Sequence, residues 1–171
     1  MKNVFFLLVF IGLGVGEAMA QKTTSEDILL KQIANENIFI RQAVTSTDQT
    51  ITLKQQVGSN VAVLSQQGTS NNVVVQQQGI SNTLNLNQLG NGNSYEGYFN
   101  GNYNQSDVLQ AGNGNRLVQE IISNDQSYQI TQLGNNNELI QVETGVNAVP
   151  VQIKQEGNGM NLTIENGIIV Q

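Results

Sequence analysis

The chain of 171 residues contains no cysteine, no histidine and no tryptophan. Without cysteine it has no disulfide staple, no thiol nucleophile and no Cys/His metal site. Without histidine, Ser-His-Asp arrangements and His-metal chemistry are excluded too. A single proline beside 17 glycines argues against a collagen-like or proline-rich chain. Charge is scarce, with 12% of residues charged, roughly half the usual globular share. The net charge of −6 leaves no basic patch, so nucleic acid is not an expected partner. Polarity here comes from amides. An apolar share of 39% still permits a modest core, and the length permits one domain.

The longest apolar run opens the chain, MKNVFFLLVFIGLGVGEAMA. Lys2 supplies a short positive region, Val4 to Val15 an apolar region, and Ala18-Met19-Ala20 a small-x-small cleavage pattern. Residues 1–20 therefore read as a signal peptide, with cleavage expected after Ala20 and a secreted mature chain beginning at Gln21. The alternative is a membrane anchor, but the run falls short of the ~20 residues a span needs. No other segment could cross a bilayer as a helix. A small secreted chain without disulfides must stabilise itself by other means.

Those means are visible in a repeat. Steps of eleven from Gln55 meet Gln55, Gln66, Gln77, Gln88, Phe99, Gln110, Ile121, Gln132 and Glu143. Two residues beyond each mark from Gln66 onward stand Gly68, Gly79, Gly90, Gly101, Gly112, Ser123, Gly134 and Gly145. Five beyond stand Asn60, Asn71, Asn82, Asn93, Asn104, Asn115, Gln126 and Asn137. Simple Gln/Asn richness would not keep three residue types in phase. After each Asn, alternate residues run Asn, apolar, apolar, Gln, as in Asn71-Val73-Val75-Gln77 and Asn82-Leu84-Leu86-Gln88. Alternation places such a set on one face of a strand. The intervening residues, such as Gln76 or Thr83, Asn85 and Asn87, face outward. LGNGN and AGNGN supply the Gly and Asn that tight turns require.

Each unit is thus a short strand and a turn, and two units make a coil of 22 residues. Stacking such coils predicts an all-β fold, a β-solenoid of strand-turn-strand coils in which residue i lies over i+22, about 4.7–4.9 Å away. The units sort into two walls. One wall ends its inward sets in Gln66, Gln88, Gln110 and Gln132; the other ends in Gln55, Gln77, Phe99, Ile121 and Glu143. Only the first keeps an unbroken ladder. A buried amide without partners costs a few kcal/mol, roughly 2–7. Stacked on a copy of itself, it can donate and accept, as in cross-β ladders.

The pattern extends backwards through Gln49, Ile51, Leu53 and Gln55, then Ile38, Ile40, Gln42 and Val44. Forwards, one extra residue enters after Glu143; Val149, Val151, Ile153 and Gln155 then alternate, followed by Met160, Leu162, Ile164 and Asn166. Pro150 falls on an outward position, which suits an edge or irregular strand. The expected organisation is a flexible segment over residues 21–32 and a repeat solenoid with irregular end units over residues 33–171.

The spacing Gln-x-Gly-x-x-Asn-x-(apolar)-x-x-x-Gln resembles the curlin repeat of bacterial curli subunits. QQGTSNNVVVQQ (66–77) and QQGISNTLNLNQ (77–88) are complete copies. The copies from Phe99 and from Ile121 lose the opening Gln, and roughly residues 33 to 166 carry the resemblance. It implies a subunit exported unfolded through an outer-membrane pore with accessory factors, and polymerised outside the cell into amyloid fibres of the biofilm matrix. It also implies a second curlin subunit as partner, since the family has a major fibre subunit and a minor, nucleating one. The mature N-terminus, QKTTSEDILL, sits where the family carries its secretion-targeting segment. The departures at Phe99, Ile121 and Glu143 leave both the major and the nucleating roles open. On this reading self-assembly rests on the ladder residues Gln55, Gln66, Gln77, Gln88, Gln110, Gln132, Gln155 and the Asn positions above, together with the turn glycines.

Other chemistry finds little support. No catalytic residue, metal site or cofactor is expected. Glu138 is read as outward and Glu156 as a turn residue, hence as solvated charges and not an acid/base pair. Glu143 differs, because it occupies a ladder position: it marks a fraying end or acts as a gatekeeper against further stacking. GNGN lacks the Lys and the helix of a phosphate loop. Asn-Leu-Thr at 161–163 matches a glycosylation sequon, and acidic turns such as Asn124-Asp125 lack the regular Ca²⁺-binding nonapeptide. Tyr95, Tyr98, Phe99 and Tyr103 form either a ligand-stacking platform or a packed rung, with Gly97 making room for inward rings. A monomeric solenoid adhesin or binding module is the rival of another class. An ice-binding version lacks its Thr row, since outward positions 61, 72, 83, 94 and 105 read Val, Asn, Thr, Ser and Gln.

Overall fold

The computed structural model describes residues 29–31, 37–44, 50–56, 58–145 and 150–167. The expected leader and residues 21–28 lie outside them. Strands follow one another without a helix among the described residues: β1 (Leu29–Lys31), β2 (Asn37–Val44), β3 (Thr50–Gln56), β4 (Val61–Gly68), β5 (Asn72–Gln78), β6 (Thr83–Leu89) and β7 (Ser94–Asn100). Then come β8 (Gln105–Ala111), β9 (Arg116–Ile122), β10 (Ser127–Asn135), β11 (Glu138–Glu143), β12 (Val151–Asn158) and β13 (Asn161–Asn166).

Odd-numbered strands form one sheet in the order β1-β3-β5-β7-β9-β11-β13, and even-numbered strands form the other, β2 to β12. Every pairing is parallel and joins a strand to the next but one in the chain. Ala62 pairs with Leu84, Leu86 with Val108 and Gln110 with Gln132, each one coil of 22 residues apart. The chain is a β-solenoid whose alternate half-units build opposite walls.

Period-two alternation is explicit in β5 and β6, where buried and half-buried residues alternate along the whole strand. The inward sets meet in one core. Leu53, Val73, Val75 and Leu117 come from one sheet, and Leu64, Leu84, Leu86 and Ile130 from the other. Burying each such side chain contributes about 1.5–3 kcal/mol. Phe99, Ile121 and Tyr128 form a second cluster where the wall of odd strands loses its Gln.

The end coils are less regular. Beyond Glu143 the offset becomes 23, with Tyr128 beside Val151 and Leu139 beside Leu162, consistent with one inserted residue. Pro150 is exposed and precedes β12, so it withholds no hydrogen bond from that strand. At the other end the ruler of eleven is corrected. It placed Val44 in the ladder column, whereas β2 pairs with β4 so that Ile38 lies beside Ala62 and Gln42 beside Gln66. In this register, two residues off the ruler, Gln42 rather than Val44 is the partner of Gln66.

β1 lies inside the segment expected to be flexible, pairing Leu29, Leu30 and Lys31 with Thr52, Leu53 and Lys54. The backbone edge of β3 accepts an extended segment whatever its side chains, so side-chain periodicity gives no sign of it. Glu156, expected in a turn, belongs to β12, because pairing with β10 continues to Asn135 and Asn158. Its carboxylate is exposed and 2.6 Å from Lys154 Nζ. Glu138 is outward as read and pairs with Arg116 at 2.6 Å.

Candidate functional site: amide ladders and open coil edges

Inside the wall of even strands, one glutamine column runs the length of the described solenoid. Gln66 Nε2 donates to Gln88 Oε1 at 2.8 Å, Gln88 to Gln110 at 2.8 Å, Gln110 to Gln132 at 2.8 Å and Gln132 to Gln155 at 2.7 Å. All five are buried. The second amide hydrogen is also used: Gln88, Gln110 and Gln132 donate to the carbonyls of Asn72, Ser94 and Arg116 in the facing wall. Each glutamine therefore ties its coil to the next and one wall to the other. Every bond in the column points the same way along the axis.

The asparagines do different work. Backbone N–H groups of Asn82, Asn93, Asn104, Asn115, Gln126 and Asn137 donate to the side-chain oxygens of Asn60, Asn71, Asn82, Asn93, Asn104 and Asn115, one coil before. Their amides donate onward to turn carbonyls, as Asn71 does to Gly90 at 2.8 Å and Asn93 to Gly112 at 2.9 Å. The shorter side chain holds the corner where backbone groups would otherwise be buried without partners.

Turn geometry explains the glycines. Gly68, Gly79, Gly90, Gly101, Gly112 and Gly134 all have positive φ, between 104° and 150°. A Cβ on Gly90 would strike the carbonyl oxygen of Gly112 one coil away, so even a residue tolerant of positive φ would not fit. Gly145 is a correction: it does not have positive φ. Instead its N–H donates to Glu143 Oε1 at 3.3 Å and its carbonyl accepts from Ser123 Oγ.

The broken wall behaves differently from a ladder. Gln55 and Gln77 are in register and both are buried. Yet Gln77 Nε2 donates to Val61 O at 3.3 Å and its Oε1 has no hydrogen-bond partner among the described residues. The pair is stacked without a side-chain bond between them. Beyond it, Phe99, Ile121 and Glu143 follow in column. Glu143 is not at a fraying end, because β13 covers it: it is buried, and Asn166 Nδ2 donates to its Oε2 at 3.1 Å.

Two sets of amides were not singled out from the sequence. Asn91, Asn102, Asn113, Asn124, Asn135 and Asn158 each follow a turn glycine or Ser123 and accept from the backbone one coil before, as from Thr69 N to Asn91 at 2.9 Å. Their signal was present as the Asn in each Gly-Asn step. Gln119 and Gln141 carry no such signal, since their positions in other units are apolar. Gln119 Oε1 accepts from Tyr95 Oη at 3.0 Å and from Ser106 Oγ at 2.9 Å, and its Nε2 donates to Gln141 at 3.0 Å. Burial raises the Tyr95 phenol well above its usual value, which keeps it a donor. Tyr128 is raised too, first by burial and then by the nearby Glu143 charge.

Of the four clustered aromatics, Tyr95 and Phe99 are inside and Tyr103 is 60% exposed, with φ of 59°. A Cβ on Gly97 would collide with the Tyr95 ring, so the glycine does make room for it. The inward pair forms a packed rung. Among the described residues no group of three or more acidic side chains is placed to hold a metal.

The solenoid ends in edges. β12 and β13 are the last strands of their sheets at one end, β2 and β1 at the other. On the β13 face core positions lie uncovered, with Leu162 38% and the adjoining Met160 41% exposed. Fold and site together define a β-solenoid stapled by amide ladders and open at its C-terminal coil. No family model, curated protein or solved structure matches the chain.

Proposed function

We propose that the chain is a curlin-type subunit of an extracellular amyloid fibre, exported by the leader in residues 1–20 and polymerised at the bacterial surface. The observation that carries this reading is the continuous Gln66–Gln88–Gln110–Gln132–Gln155 ladder, one-directional and ending at an open edge. Such an edge offers unpaired backbone groups and an amide column to an incoming chain, which adds strands to it. Its partners on this reading are further copies, a second curlin subunit, and an outer-membrane pore with accessory factors. The product is the fibre, and no catalytic step is assigned.

A second reading, a minor subunit that nucleates a major one, is favoured by the irregular terminal coils: the 23-residue offset and the Lys154–Glu156 pair of β12. The test is to incubate purified residues 21–171 and follow thioflavin fluorescence and fibre diffraction. Growth with a meridional spacing near 4.7–4.8 Å is expected. A persistently soluble monomer would instead support a binding module. Acceleration of another curlin at substoichiometric amounts would assign the nucleating role.

A further inference from the structure

Among the described residues the sheets hold unequal numbers of strands, seven against six. Suppose a second copy stacks below the N-terminal end in the same orientation. Its β12 then meets β2, and its β13 must lie beside β3. That place is taken: β1 pairs with β3 there. The twelve strands β2 to β13 stack without a gap, and β1 is the strand in excess.

Following the registers shows how well the ends fit. Along the odd strands Ile51, Val73, Tyr95, Leu117, Leu139 and Leu162 form one column, so Leu162 would meet Ile51 of the next copy. By the same columns Ile164 meets Leu53 and Asn166 meets Gln55. Along the even strands Val151 meets the position of Ile38, Ile153 that of Ile40, and Gln155 that of Gln42. Apolar falls on apolar and amide on amide throughout. Gln155 Nε2 donates to Glu138 O at 2.8 Å, but it lacks the onward glutamine acceptor that Gln88, Gln110 and Gln132 have. A second copy supplies that position.

β1 is also poorly matched to the strand it covers. As described it pairs three residues, Leu29–Lys31, with Thr52–Lys54 of a seven-residue strand, Thr50–Gln56. β13 is a longer competitor, with six residues against three.

We infer that β1 is a displaceable guard on the N-terminal edge, holding the place that β13 of a second copy takes when the C-terminal pair β12/β13 docks on β2/β3. The occupant of this edge is another copy of the chain, and the inference rests on the fibre reading above. A copy turned by half a revolution about the axis could keep β1 in place. It would set a strand of three residues against β12, which has eight, and cover less of that edge.

The test uses the absence of native cysteine. Lys31 and Lys54 are register partners, at the neighbouring-strand spacing of about 4.8 Å, within reach of a disulfide. In the mature chain, Lys31→Cys with Lys54→Cys is oxidised, checked by mass for the bond, and offered to preformed wild-type seeds. The oxidised protein is expected to lose continued elongation, and reductant to restore it. Leu30→Pro, which removes a backbone donor from β1, is expected to shorten the lag. Oxidised protein that elongates as fast as reduced protein overturns the guard and leaves the fibre reading standing, as does failure of the bond to form. If wild type makes no fibres, the fibre reading falls and this inference with it.

Discussion

At the scale of single residues, the Gln66–Gln155 column and the corner asparagines are tolerated inside because each is placed against an amide copy or a backbone group of the neighbouring coil. Gln77, by contrast, keeps an unpartnered Oε1 among the described residues. A net contribution of about 1 kcal/mol per buried hydrogen bond is modest, whereas an orphaned amide costs about 1–3 kcal/mol. The ladder thus acts more as a requirement of register than as a source of stability. The turn glycines are constrained twice, by φ and by the neighbouring coil. Gly90→Ala is expected to cost about 3 kcal/mol, combining an unfavourable backbone conformation with a clash against Gly112. Gly58 has open space where a Cβ would go and no positive φ. Gly58→Ala is therefore expected to leave stability within about 1 kcal/mol of wild type. Thermal or denaturant unfolding of the two variants checks the contrast, and equal losses would contradict it.

At the scale of strands and coils, β7, β8, β9 and β11 are joined by a polar cluster across the core. Gln119 accepts hydroxyls from both sheets, Tyr95 from one and Ser106 from the other. Replacing it by an isosteric apolar residue, Gln119→Leu, strands two buried hydroxyls and is expected to destabilise by about 2 kcal/mol or more. Tyr95→Phe should lose less, about 1 kcal/mol, since it removes one member and leaves Ser106 bonded. Denaturant midpoints of the two variants test the order. This cluster also marks what the sequence could and could not reveal. The phased Gln, Gly and Asn revealed the half-unit, the two walls and the break at Phe99, because each is repeated once per half-unit. Gln119 was missed because only it and Gln141 are amides in that column, and one pair does not make a period. The slip that aligns Gln42 with Gln66 and the different conformation of Gly145 arise in connections whose lengths vary, where a ruler of fixed step fails. β1 was hidden for another reason: three paired residues, Leu29–Lys31, are too few to show an alternating pattern.

At the scale of the whole molecule, the proposed assembly would draw on the contacts that already hold one coil to the next. Coils touch only their neighbours, so a further chain placed on β12 and β13 repeats what each coil already does for the next. On the proposed fibre reading, uncovered Met160 and Leu162 at that end begin the interface, and Glu143, covered by β13, sits one coil short of it. The central claim is that growth proceeds through the inward amide column and not through the outward faces. It is tested most directly by seeded elongation of two double variants, Gln66→Ala with Gln88→Ala against Gln76→Ala with Asn87→Ala. The first pair breaks the continuous ladder and should elongate clearly more slowly, while the outward pair should stay near wild type. Equal rates for the two would contradict the account.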